Sequence, residues 1–229
     1  WAKLEFSKTE HLTSEGYFTY LKEFKGGHSL NAVAGYSYFE KNGENFNAEN
    51  YDFGVEGLKY WDLGAGSYLT DGKAAMGSGK NITERLFALY ARANYSYNDK
   101  YMVSATIRHE GSSKFAAENR WGNFWALSGG WRVSAEEFMK EFDWVSDLKV
   151  RFGYGVTGNN DFDASYMANT LSRDQYWMLP SGSWAYVYGP SSNVNPYLGW
   201  EEKKEWNIGV DYSFFGNRMY GKFDYYRRK

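Results

Sequence analysis

Two glycine-rich stretches have the residue types of nucleotide-binding loops. Residues 153–158 read Gly-Tyr-Gly-Val-Thr-Gly, which fits the Gly-x-Gly-x-x-Gly pattern of dinucleotide-binding folds. That pattern requires a helix to begin at the loop, but residues 159–161 are Asn-Asn-Asp, without a helical period. Residues 77–80 read Gly-Ser-Gly-Lys, yet Ala74 replaces the first glycine of a phosphate-binding loop and Asn81 replaces its Ser or Thr. We therefore predict no nucleotide cofactor, and we predict a loop at residues 77–80.

No set of side chains has the spacing of a metal or catalytic site. His11, His28 and His109 are scattered along the chain, and the chain has no Cys. Glu136 and Glu137 are adjacent, and adjacent residues on a helix do not face each other as a paired acid and base would. We predict no metal, no cofactor and no enzymatic activity.

The segment 158–198 has the residue types of a binding surface. Tyr and Trp alternate there with Asn, Asp and Ser, and flat amphipathic rings suit stacking on sugar faces or gripping a peptide backbone. The predicted contact residues for a ligand or a covering partner are Trp177, Trp184, Tyr186 and Tyr188. The alternative is that these rings pack the segment against neighbouring loops.

The composition excludes several protein classes. The 229 residues carry 26 Lys and Arg against 28 Asp and Glu, which excludes a basic nucleic-acid binder. Aromatic residues make up 21% of the chain and there are only 3 Pro, which favours strands. No apolar run approaches the roughly 18 residues of a membrane helix. A membrane β-barrel stays compatible with this composition because its strands alternate apolar and polar residues.

Apolar residues recur with a period of two along most of the chain, which predicts strands. We predict about nine, at residues 1–8, 17–24, 29–39, 85–97, 101–110, 121–133, 147–157, 198–214 and 218–226. One face of these strands is apolar, and we expect it to point to lipid through Phe87, Leu89, Tyr97, Tyr101, Val103, Ile107, Leu127, Trp131, Val150 and Phe152. The opposite face carries four cations that we expect in the lumen, Arg92, Arg108, Lys149 and Arg151.

The connections between these strands alternate in length. Residues 25–28, 98–100 and 216–217 are short turns, whereas 41–83, 111–120 and 158–198 are long. Residues 134–137 have capping-box spacing, which predicts a short helix through Phe142. Strands of 13 or 14 residues exceed the roughly 9–11 that a tilted membrane strand needs. Short turns at one end and long loops at the other indicate an antiparallel up-and-down barrel of the outer membrane, with Trp121 and Trp200 in an aromatic girdle. The alternative is a soluble sandwich whose aromatic residues fill a core.

Several blocks of residues in series resemble the SusC/RagA-like TonB-dependent outer-membrane transporters. They keep the order and spacing of that family from residue 84 to the end of the chain. Residues 1–83 share with it only the succession of strand, glycine turn, strand and long loop. The blocks are Arg-His-Glu-Gly-Ser-Ser-Lys-Phe at 108–115, Asn-Arg-Trp-Gly at 119–122, Gly-Trp-Arg-Val-Ser at 130–134, Tyr-Gly-Val-Thr-Gly-Asn at 154–159 and Asn-Pro-Tyr-Leu-Gly-Trp-Glu at 195–201. Two departures are Glu110 in place of the usual Asp and Trp125-Ala126 in place of Pro-Ser.

The resemblance implies a 22-stranded plugged barrel in the outer membrane of a Gram-negative bacterium. Residues 1–229 would then be part of one β-barrel domain, with long extracellular loops, short periplasmic turns, and the N-terminal plug, TonB box and final strand outside this chain. The implied function is TonB-dependent import of an oligosaccharide or peptide with a SusD-like lipoprotein, driven by the TonB complex through the plug. The four lumenal cations are expected to pair with plug carboxylates. The alternative function is a secreted β-rich carbohydrate-binding module or glycosidase domain.

Overall fold

A computed structural model describes residues 1–55, 57, 61–162, 171–190, 195 and 197–229, which form mainly antiparallel strands. The strands are β1 (Ala2–Phe24), β2 (His28–Asn50), β3 (Ala75–Lys80), β4 (Glu84–Tyr97), β5 (Tyr101–Ser112), β6 (Trp121–Arg132), β7 (Val145–Asn159), β8 (Leu171–Met178), β9 (Trp184–Pro190), β10 (Glu201–Phe214) and β11 (Met219–Arg228). Short 3-10 helices occupy Leu63–Ala65, Ser67–Leu69, Val133–Ala135 and Glu137–Met139. Among the described residues, no helix has the length and apolar character needed to cross a membrane.

The larger of two compact units contains residues 14–38 and 86–229. Its strands form one sheet in the order β1-β2-β4-β5-β6-β7-β10-β11, and β8 and β9 form a separate hairpin. β1 and β11 are the two edges of this sheet. This confirms the antiparallel up-and-down strand order that the sequence predicts, as far as the described strands show.

Tight turns connect the strand pairs at one end of the larger unit. Asn98 and Asp99 have φ of 49° and 53°, a backbone conformation that Asn and Asp tolerate better than most residues. Gly216 and Asn217 adopt the same region between β10 and β11. The turn at Asn98 and Asp99 fixes the register of β4 and β5, so Tyr97 lies opposite Tyr101. On the other side of β5, Tyr101 lies opposite Trp131 of β6.

The smaller unit contains residues 1–13 and 39–85. Within it β3 pairs antiparallel with the end of β2, from Glu44 opposite Lys80 to Glu49 opposite Ala75. The buried Asn50 side chain donates hydrogen bonds to the carbonyl oxygens of Leu63 and Gly66, at 2.7 and 2.9 Å. This amide therefore holds the first 3-10 helix against the strand end.

Few apolar side chains of the described residues are buried, so the larger unit has only a small local core. Phe115 is 2% exposed, and its ring lies 5.0 Å from that of Phe162 and 5.1 Å from that of Trp200. Trp200 also contacts the buried Phe124, at 5.1 Å between ring centres. Phe124 projects from the polar face of β6, since its neighbour Trp125 is on the exposed apolar face. The prediction that Trp200 belongs to the lipid-facing girdle is therefore wrong.

Three local predictions are corrected by the structure. Residues 2–24 form one 23-residue strand rather than two, because β1 pairs with the equally long β2 and keeps its backbone hydrogen bonds satisfied. The capping box at 134–137 does not start a helix through Phe142, because the Ser134 hydroxyl donates to Asp147, at 2.8 Å, and only 3-10 turns form. Residues 77–80 belong to strand β3, where pairing with β2 overrides their loop-like composition.

Candidate functional site

The apolar face of the sheet in the larger unit is exposed. Of the ten residues predicted for this face, the exposed ones are Phe87, Leu89, Tyr101, Val103, Ile107, Leu127, Trp131, Val150 and Phe152. Tyr97 is half-buried because its ring stacks on His28 and Tyr101, with ring centres 4.6 and 6.4 Å apart. The prediction that these side chains share one outward face is confirmed by the register, which places Ala105 opposite Leu127 and Leu127 opposite Tyr154. A soluble monomer rarely exposes so continuous an apolar surface.

The opposite face of the same sheet is floored by small polar residues. One row crosses five strands, with Asn94 opposite Ser104, Ser104 opposite Ser128, Ser128 opposite Gly153 and Gly153 opposite Asn207. The Ser104 hydroxyl donates to Asn94 Oδ1 at 2.7 Å. This row lines a concavity of about 460 Å³, which also has Lys149 and Arg151 in its wall. Short side chains leave this space open, and their hydroxyl and amide groups can bind a polar partner.

Arg151 is held by two carboxylates of the neighbouring strands. Its Nε and one terminal nitrogen each lie 2.8 Å from an Asp211 oxygen, and the same terminal nitrogen lies 3.1 Å from Asp224 Oδ1. Gly209 lies between Arg151 and Asp224 in the register, where a Cβ would be 2.6 Å from Asp224 Oδ1 and 2.8 Å from the Arg151 guanidinium. The glycine is therefore required by the close approach of these charges.

The other predicted cations differ in their partners. Arg108 donates two hydrogen bonds to Glu110, at 2.9 and 2.7 Å, and one to the Ser37 hydroxyl, at 3.4 Å. Neither Arg92 nor Lys149 has a carboxylate within 4 Å among the described residues. Arg108 and Arg151 thus pair with carboxylates of the sheet. Pairing of the four cations with a plug stays a prediction, as does their lumenal location.

The four aromatic residues predicted to contact a ligand or lid lie on the β8–β9 hairpin. All four are exposed, from 51% for Tyr186 to 66% for Trp184. Strand alternation places Trp184, Tyr186 and Tyr188 on one face of the hairpin. Trp177 lies on the other face, opposite Ala185. The predicted group is thus divided between two faces, and its contact with a ligand or lid stays a prediction.

Tyr176 is an aromatic residue of this hairpin that the prediction omitted. Its ring is 4.2 Å from that of Tyr186, its cross-strand partner, and their hydroxyl groups are hydrogen bonded. Both rings are more than half exposed. The hairpin therefore presents a continuous aromatic surface on the Tyr186 face.

The carboxylate of Glu136, in the connection between β6 and β7, binds two aromatic side chains at the turn end of the apolar face. Glu136 Oε1 accepts hydrogen bonds from Tyr101 Oη at 2.7 Å and from Trp131 Nε1 at 3.1 Å. Lys100 Nζ lies 3.4 Å from Oε2. The bond from Tyr101, followed by the bonds from Trp131 and Lys100, lowers the pKa of the Glu136 carboxyl below its ordinary value of 4.5. Ionised Glu136 therefore orients rings that would otherwise rotate independently.

The motifs of nucleotide and metal sites take structural roles instead. Residues 153–158 lie within β7, without the helix that phosphate binding needs. His109 stacks on Trp121, with ring centres 4.7 Å apart and an interplanar angle of 2°, and His11 packs edge-on against Phe39. The described residues contain no group of three or more His, Cys, Asp or Glu side chains that could hold a metal ion.

An antiparallel sheet with one exposed apolar face, an aromatic rim and a polar, charged opposite face has the structure of a membrane β-barrel wall. In agreement with this architecture, the chain belongs to the TonB dependent receptor-like, beta-barrel family, which matches residues 4–229. This is a family of receptors rather than of enzymes. The resemblance to SusC/RagA-like receptors and the all-β barrel fold are both confirmed.

Known proteins resemble the chain over part of their length. TonB-dependent receptor SusC of Bacteroides thetaiotaomicron is 36% identical over 146 residues, which are 63% of this chain and 15% of SusC. TonB-dependent receptor P39 of Formosa agariphila is 34% identical over 223 residues, 93% of this chain and 20% of that receptor. The RagAB peptide transporter superposes with a TM-score of 0.82 at 22% identity, over 99% of this chain and 24% of the RagAB chain. The chain therefore spans a fifth or less of the two curated receptors, and the RagAB likeness concerns the fold alone.

Proposed function

We propose that this chain is a section of barrel wall in an active importer of the Gram-negative outer membrane. The cargo is a bulky nutrient, an oligosaccharide or a peptide, and import depends on the TonB complex acting through a plug. A SusD-like surface lipoprotein covers the extracellular mouth. Membership in the TonB-dependent receptor family and the opposite character of the two sheet faces support this proposal.

The concavity on the polar face carries the proposal. Its floor of Asn94, Ser104 and Ser128 presents hydroxyl and amide groups, and Lys149 adds a cation without a carboxylate within 4 Å among the described residues. A wall of this chemistry supports the passage of hydrated, polar cargo because its hydroxyl, amide and charged groups offer many weak hydrogen bonds. A secreted module would instead need a packed core, which the few buried apolar residues do not supply.

The hairpin supplies the aromatic surface for recognition. Trp184, Tyr186 and Tyr188 share one face, with Tyr176 packed beside them, and rigid rings bury a large area with little loss of conformational entropy. We assign this face to contact with cargo or lipoprotein. Trp177 lies on the other face, and we assign it to contact with cargo or lipoprotein as well.

Uptake by cells that express the full-length receptor tests the proposal. A strain that lacks the receptor gene is complemented with wild type, the Trp177→Ala/Trp184→Ala double variant, or Trp125→Ala as a control on the apolar face. Growth is compared on an oligosaccharide and on a peptide as sole nutrient, and co-purification of the lipoprotein is measured. We expect wild type to restore growth on one of them, and the double variant to reduce growth or lipoprotein retention several-fold with normal insertion.

The results separate the possible roles of the rings. Reduced growth with normal lipoprotein retention assigns the rings to cargo, and reduced retention assigns at least one of them to the lid. Unchanged growth and retention in the double variant would show that the rings only pack the loop. Failure of the wild-type gene to restore growth on either nutrient would contradict the proposed import function.

A further inference from the structure

The apolar face of the larger unit contains a trough of about 640 Å³. Its floor is formed by alanine side chains from three adjacent strands. They are Ala32 and Ala34 of β2, Ala91 and Ala93 of β4, and Ala105 of β5. Phe18 and Tyr20 of β1 form one wall, and Ile107 of β5 forms the other. The trough is therefore an apolar depression across four strands.

Larger side chains close the trough along each strand. On β4 the next residues of the same face are Leu89 before Ala91 and Tyr95 after Ala93. On β5, Val103 is the next residue of this face before Ala105. The register places Ala91 opposite Ile107 and Ala93 opposite Ala105. The depression is thus local, since the apolar face around it carries long aliphatic and aromatic side chains.

A cation lies at the turn end of this trough. Lys22 is the next residue after Phe18 and Tyr20 on the same face of β1, and its Nζ is 5.9 Å from the centre of the Phe24 ring. No carboxylate lies within 4 Å of the Lys22 ammonium group in the part of the chain that the structure describes. On the neighbouring strand, His28 is hydrogen bonded to Tyr95 Oη through Nδ1, at 2.6 Å. The ammonium group can therefore bind an external anion.

We propose that the trough binds a phospholipid of the leaflet that borders the short turns. An acyl chain lies on the alanine floor between Phe18 and Ile107, and the phosphate binds Lys22. A group the size of a water molecule occupies about 30 Å³, so 640 Å³ holds about twenty such groups. This is about the number of carbon groups in one acyl chain. A lone cation beside an apolar slot complements a lipid, whose phosphate and chain are joined, and Lys can extend its ammonium group to the membrane interface.

This inference goes beyond import and rests only on the membrane location in the proposed function. Photo-crosslinking of the full-length receptor tests it in nanodiscs that contain phosphatidylglycerol with a diazirine in its acyl chain. Crosslinked peptides are mapped by mass spectrometry. We expect residues 18–20, 32–34 and 91–93 to be labelled several-fold more than the rest of the apolar face. Ala93→Trp and the smaller change Ala32→Ile, which both fill the trough, should reduce this labelling several-fold.

Two further variants complete the test. Lys22→Gln should lower the labelling at low salt more than at high salt, because the ion pair with phosphate is screened. Val150→Trp, which adds the same ring to the same face outside the trough, should leave the labelling unchanged. Uniform labelling that Ala93→Trp does not change would overturn the proposal. A Lys22→Gln variant with unaltered labelling would overturn the phosphate contact. Cargo uptake by the same variants reports separately on the import function.

Discussion

Replacement of Leu127 by Arg tests which face of the sheet contacts lipid. Trp121 and Trp131 bound the apolar face of β6, and they are ten residues apart. At about 3.3 Å per residue and a tilt of about 40°, this separation spans about 25 Å of membrane, the height of the apolar band of outer-membrane barrels. Leu127 is four residues from Trp131, which places it about 3 Å from the middle of the band by the same arithmetic.

A cation at this depth is costly. We expect Leu127→Arg to reduce the free energy of unfolding in a bilayer by about 2–4 kcal/mol, equivalent to a roughly 30- to 700-fold change in the folding equilibrium. Leu127 is 48% exposed and lies on the apolar face, so a guanidinium at this position would contact lipid. The full-length receptor in lipid vesicles is unfolded with guanidinium chloride, and tryptophan fluorescence monitors the unfolding.

The neighbouring residue provides a matched control. Ala126 points to the polar face, where it lies opposite Thr106 and Gly155. We expect Ala126→Arg to change the free energy of unfolding by about 0.5 kcal/mol or less, because the guanidinium remains hydrated. Equal costs for the two substitutions, or a larger cost at Ala126, would refute the assignment of the two faces.

Three further changes test individual contacts of the sheet. Arg151→Met should destabilise the receptor by about 1–2 kcal/mol, since it leaves Asp211 and Asp224 unpaired but partly hydrated. Arg151→Lys should restore only part of the lost stability, because Lys cannot make the bidentate contact. Chemical denaturation measures the stability of both variants. Gly209→Ala should lower the free energy of unfolding by about 1–3 kcal/mol in the same assay, because the new Cβ displaces the Asp224 carboxylate. If the destabilisation by Gly209→Ala and by Arg151→Met simply added in the double variant, this explanation would be contradicted. In wild type, ionised Glu136 stabilises the fold at neutral pH, and this stability is lost as the pH falls from about 4.5 through the lowered pKa of Glu136. Glu136→Gln should lack this stability at every pH. The unfolding curves of the two proteins should therefore separate at neutral pH and converge at acid pH.

Alternation along single strands was sufficient to predict the two faces of the sheet. Leu127 and Ala126 could be assigned to opposite sides because strand periodicity is two and does not depend on the partner strand. The length of β1 could not be predicted, because residues 9–16 carry no strong strand pattern and are extended through pairing with β2. The hairpin β8–β9 likewise lies in a segment whose sequence pattern predicts a loop, since its short strands pair only with each other.

The partners of the predicted charges depended on register. Arg151 and Asp211 could each be assigned to the polar face, but they are 60 residues apart in the chain. Their contact follows from the pairing of β10 with β7, which places Asp211 opposite Lys149 and Gly209 opposite Arg151. Similarly, Glu136 lies inside the 134–137 segment whose spacing predicts a capping box, whereas its carboxylate accepts hydrogen bonds from Tyr101 and Trp131 at the turn end of β5 and β6. Side-chain partners across strands therefore require the register, which the sequence pattern alone leaves undetermined.

The strand order of the larger unit also affects how this part of the barrel assembles. From β4 to β7 each strand pairs with the next one in the chain, so these contacts close only short loops. The pairing of β7 with β10 instead joins Asn159 to Glu201 across the segment that contains the β8–β9 hairpin. Closing a loop of about 40 residues rather than three costs about 2 kcal/mol more in chain entropy. We therefore expect β4 to β7 to enter the membrane as successive hairpins, with the addition of β10 and β11 as the slower and later step.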